Sequence, residues 1–240
     1  MGIAAGADTV HGLIERAAAR APHAVYALAC DSSAEQQQQI DFASLASGCR
    51  RVAQLLQRAG AQPGDTVSVV MPNGLQTLRL LLGAMHAGCV VNPVNLLSQP
   101  DQMRYVLAHS DCRVVCVAPE WEERVRAMLV DAGRPVDLLV VAPEAGALPG
   151  EDDQQDSPVF PPPSPEAVAL LMYTSGTTGL PKGVMLTQHN LAANAHAIGA
   201  EHALGAADRV LAVLPLYHIN AFCVTMLAPL AFGGSLAMPP

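Results

Sequence analysis

Lysine is almost absent from this 240-residue sequence. Of its 13 basic residues, twelve are arginine and one, Lys182, is lysine. Charged residues make up only 14% of the chain and aromatic residues 4%, whereas hydrophobic residues reach 51%. The net charge is −8 and the basic residues form no cluster, which argues against a nucleic acid as a partner.

Several common sequence features are also missing. The six cysteines lack the Cys-x-x-Cys and histidine spacing of a zinc site, so we expect reduced thiols in a cytoplasmic protein. Residues 1–8 lack the basic segment and long apolar core of a secretory signal. Residues 210–240 carry no charged side chain, but Pro215, Pro229 and Gly233 interrupt them, and we therefore predict no transmembrane segment. A hydrolase is not indicated, because no Gly-x-Ser-x-Gly elbow is present.

Short apolar segments alternate with amphipathic ones along most of the chain. The predicted strands are residues 24–30, 39–42, 66–71, 89–92, 113–117, 136–142, 167–172, 209–214 and 235–238. The predicted helices are residues 9–21, 43–59, 75–87, 98–109, 120–131, 190–202 and 219–231, with a capping box of Ser98 and Asp101 ahead of the fourth. Because the strands are apolar throughout and alternate with helices, we predict an α/β fold with largely parallel sheets covered by helices.

Residues 143–166 differ in composition from the rest. They contain the acidic run Glu151-Asp152-Asp153 and the run Pro161-Pro162-Pro163, which is typical of an exposed linker. We therefore predict a first α/β subdomain at 1–142, a Pro-rich and acidic linker at 143–166, and the incomplete start of a second α/β subdomain at 167–240.

The segment Tyr173–Gly183, YTSGTTGLPKG, follows a predicted strand and is rich in glycine and hydroxyl groups. Glycines let backbone N–H groups approach phosphate closely, the hydroxyls add donors, and a lysine adds a movable positive charge. It is not a Walker A sequence, because Pro181 precedes Lys182 and Gly183 follows it. We predict a phosphate-binding loop; a glycine-rich surface turn with a chance lysine is the alternative.

A second candidate segment, Pro215–Ala221, follows the predicted strand 209–214. Ligands of open α/β sheets bind outside the carboxyl ends of strands, so this segment and the phosphate loop are expected to face one cleft. His218 is the candidate site residue here, and a histidine packed in the core is the alternative.

The segment YTSGTTGLPKG resembles the phosphate loop of the adenylate-forming superfamily, which includes acyl- and aryl-CoA ligases, peptide-synthetase adenylation domains and luciferases. Ala84–Val94 (AMHAGCVVNPV) resembles an early structural motif of the same superfamily. Leu214–Phe222 (LPLYHINAF) is more similar to acyl-CoA ligases than to peptide adenylation domains. The resemblance implies the N-terminal portion of an adenylate-forming enzyme fold.

The resemblance also assigns roles to residues. It implies that the loop binds the phosphates of ATP through Thr174, Ser175, Gly176, Thr177, Thr178, Gly179 and Lys182. It implies that Lys182 is catalytic and follows the leaving pyrophosphate, and that His218 and Asn220 line the acyl pocket. No metal ligand is assigned.

The implied activity is that of an ATP-dependent carboxylic acid–CoA ligase that uses ATP, Mg²⁺ and coenzyme A. A carboxylate attacks the α-phosphorus of ATP and releases pyrophosphate, and a thiol then takes the acyl group from the acyl-adenylate. The expected contribution of the protein is charge neutralisation and the alignment of two anions that repel each other.

Superfamily members are much longer than this chain. Their additional part supplies residues that bind magnesium and ribose, and it carries a second lysine. We therefore interpret the chain as the truncated N-terminal part of such a ligase, which we expect to be inactive alone. A non-catalytic remnant or nucleotide-binding or interaction module, and a fragment of a peptide-synthetase adenylation domain, are the alternatives. A sheet that stops after residues 235–238 should expose an unpaired edge, which predicts self-association.

Overall fold

The computed structural model describes residues 9–30, 37–130, 133–150, 159–174 and 180–239. The helices are α1 (Val10–Arg20), α2 (Phe42–Arg58), α3 (Leu75–His86), α4 (Pro100–His109), α5 (Glu122–Leu129), α6 (Gln188–Glu201) and α7 (Ala228–Phe232). The strands are β1 (Val25–Cys30), β2 (Gln37–Asp41), β3 (Thr66–Val70), β4 (Val90–Pro93), β5 (Val114–Val117), β6 (Asp137–Val140), β7 (Val168–Thr174), β8 (Lys182–Thr187), β9 (Arg209–Leu211) and β10 (Ser235–Met238).

The strands form two sheets, and helices pack on them as the α/β prediction requires. The larger sheet has the order β6-β5-β3-β4-β7-β8 and the smaller one the order β2-β1-β10-β9. The pairs β1–β2 and β7–β8 are antiparallel, and the other six described pairs are parallel. The prediction of largely parallel sheets is therefore confirmed.

The last described strand, β10, is an inner strand. It pairs with β1 on one side and with β9 on the other. Among the described strands, the edges of the two sheets are β2, β9, β6 and β8. An unpaired edge near the end of the sequence is therefore offered by β9 and not by residues 235–238, and self-association stays a prediction.

Each sheet contains strands from both sides of the predicted linker, residues 143–166. In the smaller sheet β1 pairs with β10, and in the larger one β4 pairs with β7. The described parts of the linker, 143–150 and 159–166, contain neither helix nor strand, and the acidic run Glu151-Asp152-Asp153 lies outside the described residues. The sheets do not follow the boundaries 1–142 and 167–240, and division of the protein there stays a prediction.

Side-chain caps mark where several helices begin. Thr9 Oγ1 accepts a hydrogen bond of 2.9 Å from the Gly12 amide, and Asp41 Oδ1 accepts one of 2.7 Å from the Ser44 amide. These bonds satisfy amide donors that have no partner inside the helix. The predicted capping box of Ser98 and Asp101 is wrong by one residue: α4 starts after Gln99, whose amide donates to the Gln102 side chain at 3.3 Å.

Two predicted helices also differ from the observed ones in helix type. The predicted helix 120–131 begins with a 3₁₀ turn, Pro119–Trp121, before α5. The predicted helix 219–231 consists of a π-helix, Ala221–Leu227, followed by α7. Among the described residues, no helix has both the length and the apolar character needed to cross a bilayer.

The core between the sheets is organised around α3. All twelve residues of α3 are buried, and α2 packs closely against it. The close approach occurs at Gly83, where a Cβ atom would lie 2.5 Å from Val52 Cβ of α2. The lack of a side chain at Gly83 therefore sets the distance between the two helices.

We expect Gly83→Ala to lower the free energy of unfolding by about 1–2 kcal/mol. Overpacking costs roughly 1–3 kcal/mol, and the better helix propensity of alanine offsets up to about 1 kcal/mol of that cost. Urea unfolding followed by circular dichroism measures the change. Gly146→Ala is the matched control, because no atom lies within 4 Å of the added Cβ. Equal effects of the two substitutions would contradict close packing at Gly83.

Candidate functional site

The phosphate-loop segment lies on an antiparallel hairpin. β7 ends at Thr174, β8 begins at Lys182, and these two residues are direct partners across the pair. Thr174 Oγ1 also donates a long hydrogen bond, 3.5 Å, to the Lys182 carbonyl oxygen. The predicted loop residues Ser175, Gly176, Thr177, Thr178 and Gly179 lie outside the described residues.

The sequence analysis missed β8, because it placed a loop directly before the helix at residue 190. β8 is an edge strand, and its side chains from Lys182 to Met185 are exposed, so the sequence shows no buried apolar run. The signal available was Val184-Met185-Leu186-Thr187, a short segment with two β-branched residues. Lys182 therefore lies on a strand of the sheet and not in a loop that leads into α6.

Tyr173 connects the end of β7 to α4. Its hydroxyl lies 2.8 Å from His109 Nδ1 at the end of α4, and the two rings meet edge to face at 5.8 Å between centroids. Burial raises the pKa of Tyr173 to about 12, so the phenol is neutral at pH 7. The end of β7 is thereby attached to α4 as well as to β4. His109 is a site residue that the sequence analysis did not identify.

A cleft of about 470 Å³ lies beside the hairpin. The two described flanks of the loop, Thr174 and Pro181, line it, together with Tyr217 and His218 from the second candidate segment. The segment between β4 and α4 adds polar groups, among them Asn95 and Ser98. The two segments that were expected to face one cleft therefore do so.

The predicted site residues are not all brought together. His218 is exposed in the cleft, with its ring 4.8 Å from that of Tyr217, which excludes the alternative of a histidine packed in the core. Lys182 and Asn220 are exposed but are not among the residues that line the cleft. The structure thus places Thr174 and His218 on one surface and leaves Lys182 and Asn220 outside it.

The position of the His218 segment depends on Asn73, which lies in the turn between β3 and α3. Asn73 Nδ2 donates to the Leu214 carbonyl oxygen at 3.1 Å, and Asn73 Oδ1 accepts from the Leu216 amide at 2.9 Å. One side-chain amide therefore satisfies the backbone on both sides of Pro215. Asn73 could not be singled out from the sequence, since its partners lie about 140 positions away.

We expect Asn73→Ala to release this segment. The Leu216 amide loses its acceptor, and its hydrogen–deuterium exchange should speed up about tenfold, the amount that corresponds to one net hydrogen bond of about 1–1.5 kcal/mol. Exchange resolved to single residues measures the effect.

Asn73→Asp is the control for this substitution, because a carboxylate keeps an acceptor for the Leu216 amide. It loses the donor to the Leu214 carbonyl oxygen, so its Leu216 exchange should lie between those of the wild type and the alanine variant. Slow exchange at Leu216 in the alanine variant would contradict a positioning role of Asn73.

Comparisons with known proteins identify the family. Residues 14–240 match the family described as AMP-binding enzyme. The chain is 53% identical over 234 residues to a sulfoacetate–CoA ligase of Cupriavidus necator, a match that covers 97% of this chain and 45% of that protein. It is 37% identical over 202 residues to a feruloyl-CoA synthase of an Amycolatopsis species, covering 83% of this chain and 38% of the other.

Solved structures show the same fold. A long-chain-fatty-acid-CoA ligase from Archaeoglobus fulgidus has a TM-score of 0.86 at 24% identity, and covers 96% of this chain and 47% of its own. A putative long-chain-fatty-acid CoA ligase from Rhodopseudomonas palustris has a TM-score of 0.84 at 22% identity, covering 96% and 57%. The chain spans less than half the length of the two curated relatives.

Proposed function

The chain belongs to the AMP-binding enzyme family, and on that basis we propose that it is the N-terminal part of an ATP-dependent carboxylic acid–CoA ligase. The observation that carries the proposal is the β7–β8 hairpin. It pairs Lys182, the only lysine of the sequence, with Thr174 across the two strands, at the two ends of a segment rich in serine, threonine and glycine. A lysine and hydroxyl-bearing residues on one hairpin are suited to a polyphosphate.

In this proposal the residues Thr174 to Gly179 and Lys182 bind the phosphates of ATP. A carboxylate oxygen attacks the α-phosphorus, the bond to the β-phosphate oxygen breaks, and pyrophosphate leaves. The coenzyme A thiolate then attacks the acyl carbon, and AMP leaves. Lys182 neutralises charge that develops on the pyrophosphate, and Mg²⁺ accompanies ATP as its counterion.

We propose a short, polar acid as the substrate. The named relative with 53% identity acts on sulfoacetate, and the cleft carries Asn95, Ser98 and His218 close to the loop. His218 lies in the cleft and is the stronger candidate for contact with the acid, whereas Asn220 requires a shift of its segment to reach it. Location in the cytoplasm and self-association stay predictions.

The relatives favour coenzyme A as the acceptor, because the named proteins are CoA ligases or synthases. A module that binds nucleotide without catalysis is the second candidate. The two candidates differ in whether this chain binds ATP in the absence of any further segment.

The catalytic proposal is tested in a fusion protein. In it, this chain is followed by a segment that corresponds to the remaining part of its relatives. We expect Lys182→Ala to slow sulfoacetate-dependent exchange of pyrophosphate into ATP by about 10²–10³-fold, as for removal of one group that stabilises a developing charge. Arg126→Ala removes an exposed cation on α5 and should leave the rate unchanged. Exchange that is independent of Lys182 would exclude it from the reaction.

Nucleotide binding is tested on this chain alone by amine acylation. Lys182 carries the only ε-amine, so its modification is distinguished by mass spectrometry from that of the α-amine. If the hairpin binds nucleotide, saturating Mg·ATP should slow acylation of Lys182 severalfold and leave the α-amine unaffected. Equal rates with and without nucleotide would show that binding requires more of the protein than this chain.

A further inference from the structure

A cluster of metal-binding side chains lies between α1 and α3, outside the cleft. His11 and Glu15 are four residues apart on α1 and therefore share one face of the helix, and His86 is the last residue of α3. The potential ligand atoms of these three side chains lie within 4.8 Å of one another. The proposed ligase activity does not use this cluster, although His86 lies in Ala84–Val94, one of the segments that carry the family resemblance.

The hydrogen bonds of the cluster indicate which ring nitrogens of His11 and His86 carry protons. His11 Nδ1 lies 3.1 Å from the carbonyl oxygen of His86, and since a carbonyl only accepts, Nδ1 carries the proton and Nε2 keeps its lone pair. Metal-binding histidines in proteins commonly donate their second N–H to a backbone carbonyl in this way. His86 Nε2 donates to Glu15 Oε1 at 2.8 Å, so one proton lies between two potential ligand atoms.

The charge state also suits a cation. Burial, followed by the neighbouring His86, lowers the pKa of His11, which keeps that ring neutral at pH 7. The hydrogen bond from His86 lowers the pKa of Glu15, whose carboxylate is therefore ionised. His86 lies at the carboxyl end of α3, where the helix dipole favours positive charge.

The Glu15 carboxylate already forms an ion pair with Arg50. Arg50 Nη1 of α2 lies 3.1 Å from Glu15 Oε1 and would compete with a bound metal ion. Glu15 and Arg50 line an open groove of about 500 Å³ between α1 and α2, through which an ion can reach the cluster from solvent. The side chain of Glu15 is 40% exposed and can move between the two partners.

We propose that His11, Glu15 and His86 form a binding site for a divalent transition-metal ion that links α1 to α3. Two imidazole nitrogens and one carboxylate oxygen suit Zn²⁺, Co²⁺ or Ni²⁺ and not Ca²⁺ or Mg²⁺. The ion replaces the proton that His86 shares with Glu15, and a fourth position is left for water. Ligand atoms of a tetrahedral site lie about 3.3–3.5 Å apart, given bonds of about 2.0–2.2 Å. The His86–Glu15 pair, at 2.8 Å, therefore widens slightly on binding, and the pairs that lie up to 4.8 Å apart close to this spacing.

The test is a Co²⁺ titration of the 240-residue chain without an affinity tag, followed by visible absorption, with Zn²⁺ as the competing ion. We expect one equivalent of Co²⁺ to give the absorption of a tetrahedral site with nitrogen and oxygen ligands. His11→Gln and Glu15→Gln should each weaken binding by about 10- to 100-fold or more. His189→Gln, an exposed histidine on α6, should leave binding unchanged.

Arg50→Gln separates this site from unspecific binding, because removal of the competing cation should tighten Co²⁺ binding about two- to fivefold, as expected for a partly exposed ion pair. Circular dichroism of each variant without metal checks its fold; His86 is left in place because its side chain is only 5% exposed. Absence of Co²⁺ binding to the wild type, or binding that persists in both the His11 and Glu15 variants, would overturn the proposal.

Discussion

The antiparallel pairing of β7 with β8 is the interaction on which the candidate site depends. It runs from the pair Val168–Thr187 to the pair Thr174–Lys182, and β7 is also joined to the inner strand β4. Backbone hydrogen bonds along this hairpin bring together two residues that are eight positions apart. The backbone of Lys182 is therefore positioned by the sheet.

The cleft lies between the two sheets and is held by contacts from outside the hairpin. Thr174 comes from the larger sheet, whereas His218 follows β9 of the smaller one. Asn73 connects them, because it follows β3 of the larger sheet and binds the backbone that follows β9. Ligand sites at the carboxyl ends of strands usually belong to one sheet. Here the site depends on how two sheets are joined: α3 packs in the core between them, and Asn73 adds two hydrogen bonds beside the cleft.

The sequence predicted those features that local chemistry determines. The predicted helices 9–21 and 43–59 begin within one residue of α1 and α2, where Thr9 and Asp41 act as caps, because a cap needs only a side chain and an amide three residues away. β8 was missed because its exposed residues become a strand only through pairing with β7, and the pairing of β10 with β1 could not be predicted because β1 lies about 200 residues earlier. Asn73 and His109 could not be identified as site residues, since both act on partners that are distant in sequence.

The exposure of Lys182 to water determines how strongly this residue can interact with an anion. Lys182 lies in water, and its interaction with an anion at 4 Å is about 1 kcal/mol at the dielectric constant of water but about 4 kcal/mol at the effective value near a protein surface. Leu211, Val213 and Ile219 are also exposed, in or close to the segment that carries His218. Cover over these apolar side chains would exclude water from the hairpin as well. The described residues thus place Thr174 and His218 on one cleft, and the strength of any charge interaction there depends on how far water is excluded.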